Sequence, residues 1–422
     1  MTLIRTSLLN AVAVAMRMLS MLALNKILAV QIGPAGYGLV GQLQNAVTSI
    51  TALASAGVGT GVTKYTAEYS RDSSQQHQLW TTAGFLGLVC SILIGGGIVI
   101  FRRKLALHLF GNPSYSDIFA WVAVCLVLYV FNAFLLAIIN GLKEVELFVI
   151  ANVANSFIAL VITGLLAWLF GLKGALVALT VNQSISCVAT ILLVKKRQWF
   201  KLRNFLGWPS REAAFNLSQF TLMAIATSVV GPLSLIVVRN FLIKESGVEA
   251  AGYWEAMNRI SNLYLMFIST PLSVYYLPRL SEITNVGDMR HEIMYGVKII
   301  VPVTIFLALV IYLLRSIIVR ILFSGDFSPV LDLFAWQLTG DVFRAFAWVF
   351  SFFLISRAMT KKFLVAELSV TLSFVALAFV NIKIFGVKGV AIAYAANNLI
   401  YLVILLFIVT PILSDQKQKS MA

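Results

Sequence analysis

The sequence predicts an all-α polytopic membrane protein of about twelve transmembrane helices, arranged as two six-helix bundles related by a parallel internal repeat. Three observations predict this. Of the 422 residues, 60% are hydrophobic and 12% charged, with a mean hydropathy of +0.91; a soluble domain is nearer half apolar and a quarter charged. The apolar residues come in blocks of about twenty, the length that crosses a bilayer as a helix. Short motifs recur at a spacing of 215 residues, about half the chain.

The formal charge of +15 does not indicate nucleic acid as a partner. Much of it sits in short loops beside apolar segments, where Lys and Arg set topology. Cys90, Cys125 and Cys187 fall inside apolar segments and are read as small buried hydrophobes rather than disulfide partners or ligands. Arg5 precedes an apolar run to about Val30 with no small-residue cleavage site before a soluble region, so the run is read as a retained first helix.

Taken in order, the spans are predicted at 7–32, 37–66, 79–101, 116–141, 147–170 and 174–194, then 213–242, 250–280, 293–314, 330–357, 363–383 and 389–411. A basic loop, 195–212, separates an N-terminal bundle (1–194) from a C-terminal one (213–422) and suits anionic lipid headgroups. With both termini inside, sixteen Lys and Arg fall on the cytoplasmic side and nine outside, the Arg102–Lys104 cluster among the nine. That bias predicts N-in and C-in.

The repeats are specific. Phe170-Gly171-Leu172-Lys173-Gly174 returns as Phe385-Gly386-Val387-Lys388-Gly389, and Asn182 as Asn397. Asp117, Phe119, Ala120 and Trp121 return as Asp332, Phe334, Ala335 and Trp336, and Asn25 as Asn240. Ala35-Gly36-Tyr37 returns one residue out of step as Ala251-Gly252-Tyr253. Six spans per half make the repeat parallel, an architecture that places a substrate between halves which rock against each other.

Seven cations lie within the spans: Arg17, Lys26, Lys64, Arg239, Arg259, Lys298 and Arg344. At ~1.5 Å per residue, Arg17, Arg259 and Arg344 reach similar depth near the middle of the membrane. Lys26, Lys64, Arg239 and Lys298 lie nearer the edges, where long side chains can reach headgroups. Glu255 precedes Arg259 by four residues and Asp341 precedes Arg344 by three, spacings that pair on one helix face. Ionisable groups in spans face a cavity or pathway, so the expectation is a water-filled, net cationic cavity suited to an anion, since arginine forks match phosphate oxygens. Amides such as Asn182, Gln183, Asn397 and Asn398 suit sugar hydroxyls or, equally, bonds between helices. Gly231-Pro232, Pro271 and Pro302 permit bends. His77, His108 and His291 are placed in loops, and Gly-Thr-Gly-Val-Thr-Lys at 59–64 lacks the glycine a phosphate loop needs before its lysine. No nucleophile–base pair or metal set is evident, so neither an enzyme nor a cofactor is expected.

Gly33-Pro34-Ala35-Gly36-Tyr37-Gly38, Val62-Thr63-Lys64-Tyr65, Phe220-Thr221-Leu222-Met223-Ala224, Val274-Tyr275-Tyr276-Leu277-Pro278 and the run Asp332–Arg344, in that order and spacing, resemble the bacterial O-antigen and lipid III flippases. These are polysaccharide transporters of the multidrug/oligosaccharidyl-lipid/polysaccharide superfamily. The resemblance implies an inner-membrane protein that moves undecaprenyl-pyrophosphate-linked oligosaccharide from the cytoplasmic to the periplasmic leaflet by alternating access. It implies Arg17, Lys26, Lys64, Arg239, Arg259 and Arg344 as substrate-binding cations and Asp341 as the acid of the span-10 motif; on the residues themselves, Glu255 and Asp341 are read either as cavity acids that carry a coupled ion or as partners that hold Arg259 and Arg344. A monomer working beside a polymerase and a chain-length regulator is the implied setting. The other readings are a cation-coupled drug or small-solute exporter of the same superfamily, or a polysaccharide polymerase. Acids outnumbering bases in the cavity would favour the first of these, and long periplasmic loops the second.

Overall fold

The computed structural model describes residues 3–55, 58–201, 204–205, 207–283, 285–357 and 359–421. Thirteen α-helices are found there: α1 (Leu3–Ala54), α2 (Val58–Glu68), α3 (Ser73–Phe110), α4 (Ser116–Gly141), α5 (Val145–Val194), α6 (Arg211–Ser246), α7 (Val248–Pro271), α8 (Leu277–Glu282), α9 (Val286–Leu313), α10 (Arg315–Leu322), α11 (Phe334–Ser356), α12 (Thr360–Phe385) and α13 (Val387–Met421). The chain forms two compact units, Met1–Ile236 and Val237–Ala422. The division falls inside α6, whose Leu217 packs with Val62, Leu79, Trp80 and Phe134 of the N-terminal unit.

Among the described residues, eight helical stretches are long and apolar enough to cross a membrane. Two cross twice. The 52 residues of α1 and 50 of α5 would extend well beyond the ~30 Å hydrocarbon core if straight. Each is bent instead at a glycine with positive φ, Gly33 (φ 61°) and Gly171 (φ 56°), a conformation that glycine adopts without steric cost. Helices α6 and α7 supply the remaining two crossings. They fall outside the apolar set in keeping with the Arg239, Glu255 and Arg259 they carry. The result is twelve crossings, six in each half.

The internal repeat is visible in backbone geometry. Gly171 (φ 56°, ψ −135°) and Gly386 (φ 59°, ψ −136°) turn the chain identically. Three residues on, a Cβ at Gly174 would lie 1.8 Å from the Leu166 carbonyl oxygen, and one at Gly389 would lie 2.0 Å from that of Asn381. Each Phe-Gly-x-Lys-Gly motif thus forms one tight corner between antiparallel helices. Phe119 and Phe334 are fully buried, while Trp121 and Trp336 are about half exposed. In the C-terminal unit the two duplicated motifs meet, with Lys388 Nζ 3.1 Å from Asp332.

Exposed Ile100, Val124, Trp168 and Phe407 lie on outward helix faces. Such a surface is costly in water and matched by lipid. Several expectations are adjusted. The π-helical turn Leu272–Tyr276 follows Pro271 and joins α7 to α8; a proline that lacks an N–H favours such a ladder defect. His77 and His108 lie in α3 and His291 in α9, near helix ends rather than in loops. Arg102–Lys104 belongs to the extension of α3. The basic segment after Val194 is docked. Phe205 is buried with its ring against Phe131, Phe134 and Trp80, and Trp199 donates to Glu144 at 3.0 Å.

Candidate functional site

A hairpin builds the first part of the site. Gly247, at φ 89°, turns α6 into α7. Arg239 lies eight residues before this turn and Glu255 eight after it, so the antiparallel pair brings them side by side. Arg239 Nη2 is 2.5 Å from Glu255 Oε2. Arg259, one turn further along α7, donates from Nε to Glu255 Oε1 at 2.8 Å. One carboxylate therefore bridges two guanidiniums. Arg239 is 1% exposed and lies over the Trp254 ring at 5.3 Å. It does not reach toward headgroups, as its position near a span edge suggested. Removing one partner from a buried ion pair costs about 3–5 kcal/mol, so this cluster is strongly coupled to its own stability.

The second part lies deeper along the same helix. Asp341, on α11, is 0% exposed. Ser261 donates to its Oδ2 at 2.7 Å and Tyr264 to the same oxygen at 2.8 Å. These residues are six and nine positions beyond Glu255 on α7, about 9 and 14 Å along the axis. From α13, Tyr394 donates to Asp341 Oδ1 at 2.8 Å. Arg344 Nη1 donates to the Tyr394 hydroxyl at 3.2 Å. Tyr394 therefore joins the acid and base that helix spacing alone placed on one face. Arg344 also lies over the Trp348 ring, 5.1 Å from its centroid.

Gly340 permits this contact. A Cβ there would lie 2.5 Å from the Tyr394 ring and 3.0 Å from the Cα of Ala395. The missing side chain lets α11 and α13 approach closely, which is how small residues act between membrane helices.

Arg239, Arg259, Arg344, Glu255 and Asp341 thus gather in the C-terminal unit, in two groups that share α7. The other three basic candidates belong to the N-terminal unit: Arg17 is exposed on α1, Lys26 half-buried on α1, and Lys64 exposed on α2, 3.8 Å from Glu68 and 4.5 Å from the centre of the Tyr65 ring. Lys298 is exposed on α9. The side chains of Phe220–Ala224, Val274 and Pro278 lie outside the described residues.

Of the four amides, Asn182, Gln183 and Asn397 bond between helices, while Asn398 donates to the Tyr394 carbonyl of its own helix at 2.8 Å. Asn182 donates to Thr163 at 2.8 Å, and Asn397 accepts from Ser373 at 2.5 Å, so each joins the two arms of its own corner. Asn132 donates to Gln183 and accepts from Thr190.

Sequence reasoning missed the hydroxyl partners Ser261, Tyr264 and Tyr394, and a further carboxylate, Glu367, that accepts a short hydrogen bond from Tyr401. A signal for the tyrosines was present: Tyr394 and Tyr401 are seven residues apart and share a face of α13.

Membrane-crossing helices in two repeated sets, with buried charge gathered in the C-terminal set among the described residues, are the architecture of a membrane transporter. Solved structures share the fold. A multidrug resistance MATE family transporter of the MOP superfamily, in an inward-facing conformation, matches with TM-score 0.81 at 19% identity over 96% of both chains. A MOP superfamily transporter from Pyrococcus furiosus matches with TM-score 0.69 at 18% identity, again over 96% of both. Within that class the chain belongs to the polysaccharide biosynthesis protein family, whose model matches residues 5–284. The lipid III flippases of Escherichia coli (strain K12) and Shigella flexneri are each 32% identical to it over 406 residues, 95% of this chain and 96% of theirs.

Proposed function

We propose that the chain flips undecaprenyl-pyrophosphate-linked oligosaccharide, an O-antigen repeat unit or the enterobacterial lipid III, from the cytoplasmic to the periplasmic leaflet of the bacterial inner membrane. The observation that carries this reading is the Glu255-bridged arginine pair, buried in a chain so similar in length and sequence to the lipid III flippases. Arginine forks engage diphosphate oxygens bidentately. A diphosphate competes with Glu255 for Arg239 and Arg259, so binding exchanges an internal anion for an external one. Arg344, Arg17, Lys26 and Lys64 add positive charge to the path and make the cavity net cationic, while the polyprenyl tail stays in lipid. Asp341 and Glu255 are the acids that couple the cycle to an ion. The two halves, 1–194 and 213–422 joined by the basic segment 195–212, alternate access with both termini in the cytoplasm. The chain acts as a monomer beside the polymerase and chain-length regulator.

Deleting the gene, in a strain without a paralogue, is expected to accumulate the lipid-linked repeat unit at the cytoplasmic leaflet and to remove the corresponding surface glycan. Unchanged intermediates with normal surface glycan overturn the reading, and altered drug resistance with normal glycan would support an exporter instead.

A further inference from the structure

The repeat extends to one further pair of helical segments, and there the halves differ in what they expose. In the N-terminal unit α3 runs unbroken through Arg102-Arg103-Lys104 to Leu109-Phe110. In the C-terminal unit Arg315 and Leu322-Phe323 follow Arg102 and Leu109-Phe110 by 213 residues. The helix is broken there. Helix α9 stops at Leu313, the chain passes Leu314 (φ −88°, ψ 2°), and α10 begins. Arg315 secures the bend. Its Nη1 donates to the Tyr312 carbonyl at 2.8 Å, and its guanidinium lies 4.2 Å from the centre of the Tyr312 ring. A carbonyl in the last turn of α9 thereby gains a partner from outside the helix.

Both segments turn the same face to the protein. Arg102, Leu105, Ala106 and Leu109 are buried or half-buried on one, and Arg315, Ile318, Val319 and Leu322 on the other. The opposite face is exposed in both, with different chemistry. The N-terminal segment shows Arg103, Lys104 and His108; at the matching positions α10 shows Ser316, Ile317 and Ile321. Ile317 and Ile321 are one turn apart and continue the line of exposed Leu313 at the end of α9. Arg320 is exposed beside them.

Helix α9 fixes the depth of α10. Its charged first turns end at Glu292. Residues 293–313 then span about 31 Å at ~1.5 Å per residue, close to the ~30 Å of the hydrocarbon core. Lys298 lies about 8 Å from the inner end of that stretch, within reach of the surface by its long stem. Two residues beyond Leu313, α10 starts at the level of the headgroups.

We propose that α10 is an interfacial helix that docks on the phospholipid surface of the leaflet in which α9 ends. Ile317 and Ile321 sink among the acyl chains, and Arg320 meets the lipid phosphates. An apolar strip beside a basic residue is the pattern of helices that lie in the plane of the interface. The N-terminal counterpart carries Lys104 and His108 in place of the isoleucines and continues straight from its span, so it projects past the headgroups. The anchor therefore belongs to one half. With both termini inside, as proposed above, the leaflet is the periplasmic one, the side on which cations are disfavoured and Arg320 needs a reason to stand.

The test uses spin labels on the full-length protein in vesicles of phosphatidylethanolamine and phosphatidylglycerol. Only Cys90 is replaced, because Cys125 and Cys187 are buried. Relaxation by oxygen, which partitions into the bilayer, is compared with relaxation by a water-soluble nickel chelate. Labels at Ile317→Cys and Ile321→Cys are expected to respond more to oxygen, at a depth of about 5–10 Å. A label at Lys104→Cys is expected to respond more to the chelate. Adding Ile317→Lys, which gives α10 the residue of the other half, is expected to shift the label at 321 toward the chelate. Omitting phosphatidylglycerol is expected to do the same to a smaller extent, and Arg320→Gln to remove that dependence on lipid charge. A chelate response at 317 and 321 equal to that at 104 overturns the proposal. So does shielding of both labels from both agents, which would mean that protein covers this face. Ser316→Cys in intact cells, treated with a membrane-impermeant maleimide, reads the leaflet separately. Reaction only after the inner membrane is opened overturns the topology and leaves the anchor standing.

Discussion

The two halves of the chain are alike where they turn and unlike where they bury charge. The corners at Gly171–Gly174 and Gly386–Gly389 share dihedral angles and the same close approach to a carbonyl eight residues earlier. At the buried charges the resemblance stops. Offsets of 215 or 216 residues set Arg239 against Leu24, Glu255 against Leu39, Arg259 against Leu43 and Asp341 against Leu126. Leu43 and Leu126 are buried, so the apolar form of the scaffold packs without charge. The lesson is that the repeated residues build the bundle. The residues without a charged counterpart have no structural role that the other half also needs, and they are where we place the function.

That contrast can be broken at four points. The largest effect is expected from Glu255→Ala, which leaves two guanidiniums buried together. A loss of about 3–5 kcal/mol, read as thermal unfolding in detergent, should accompany loss of surface glycan. A milder change is Gly174→Ala or Gly389→Ala. Each forces a Cβ into backbone and should cost about 3 kcal/mol, the upper end for overpacking. The two variants should be equally damaging, since the corner is duplicated; a harmless substitution in one half alone would break the comparison. Gly340→Ala pushes on the Tyr394 ring and is expected to cost about 1–3 kcal/mol while Leu126→Ile at the Asp341-equivalent site costs under about 1.5 kcal/mol. The smallest effect belongs to the exposed Lys64–Glu68 pair: Glu68→Gln should change stability by no more than about 0.5 kcal/mol.

Much of the fold was legible. Span number and the half-chain repeat follow from apolar block length and from motifs at one offset, and Gly33 and Gly171 fall in the gaps between the spans the sequence predicts, where the structure bends a continuous helix instead. Part of the site was legible as well. Glu255 and Arg259 are one helical turn apart, and Arg239 mirrors Glu255 about Gly247. The rest depended on distance in sequence. Tyr394 and Asp341 are 53 residues apart, and a tyrosine hydroxyl gives no hydropathy signal, because its ring reads as apolar. Glu367 stood outside the candidate set because it has no charged neighbour at helical spacing on its own face. The burial of Arg239 was misjudged for a related reason: distance from a helix end fixes depth but not which side of the helix faces protein.

The central claim is that the charges confined to the C-terminal unit move the substrate. Its most direct test is the amount of lipid-linked oligosaccharide in a deletion strain complemented with Arg259→Gln, with membrane abundance of the protein measured in parallel. The account predicts accumulation of the intermediate out of proportion to any fall in abundance. Full surface glycan and a wild-type level of intermediate would contradict it.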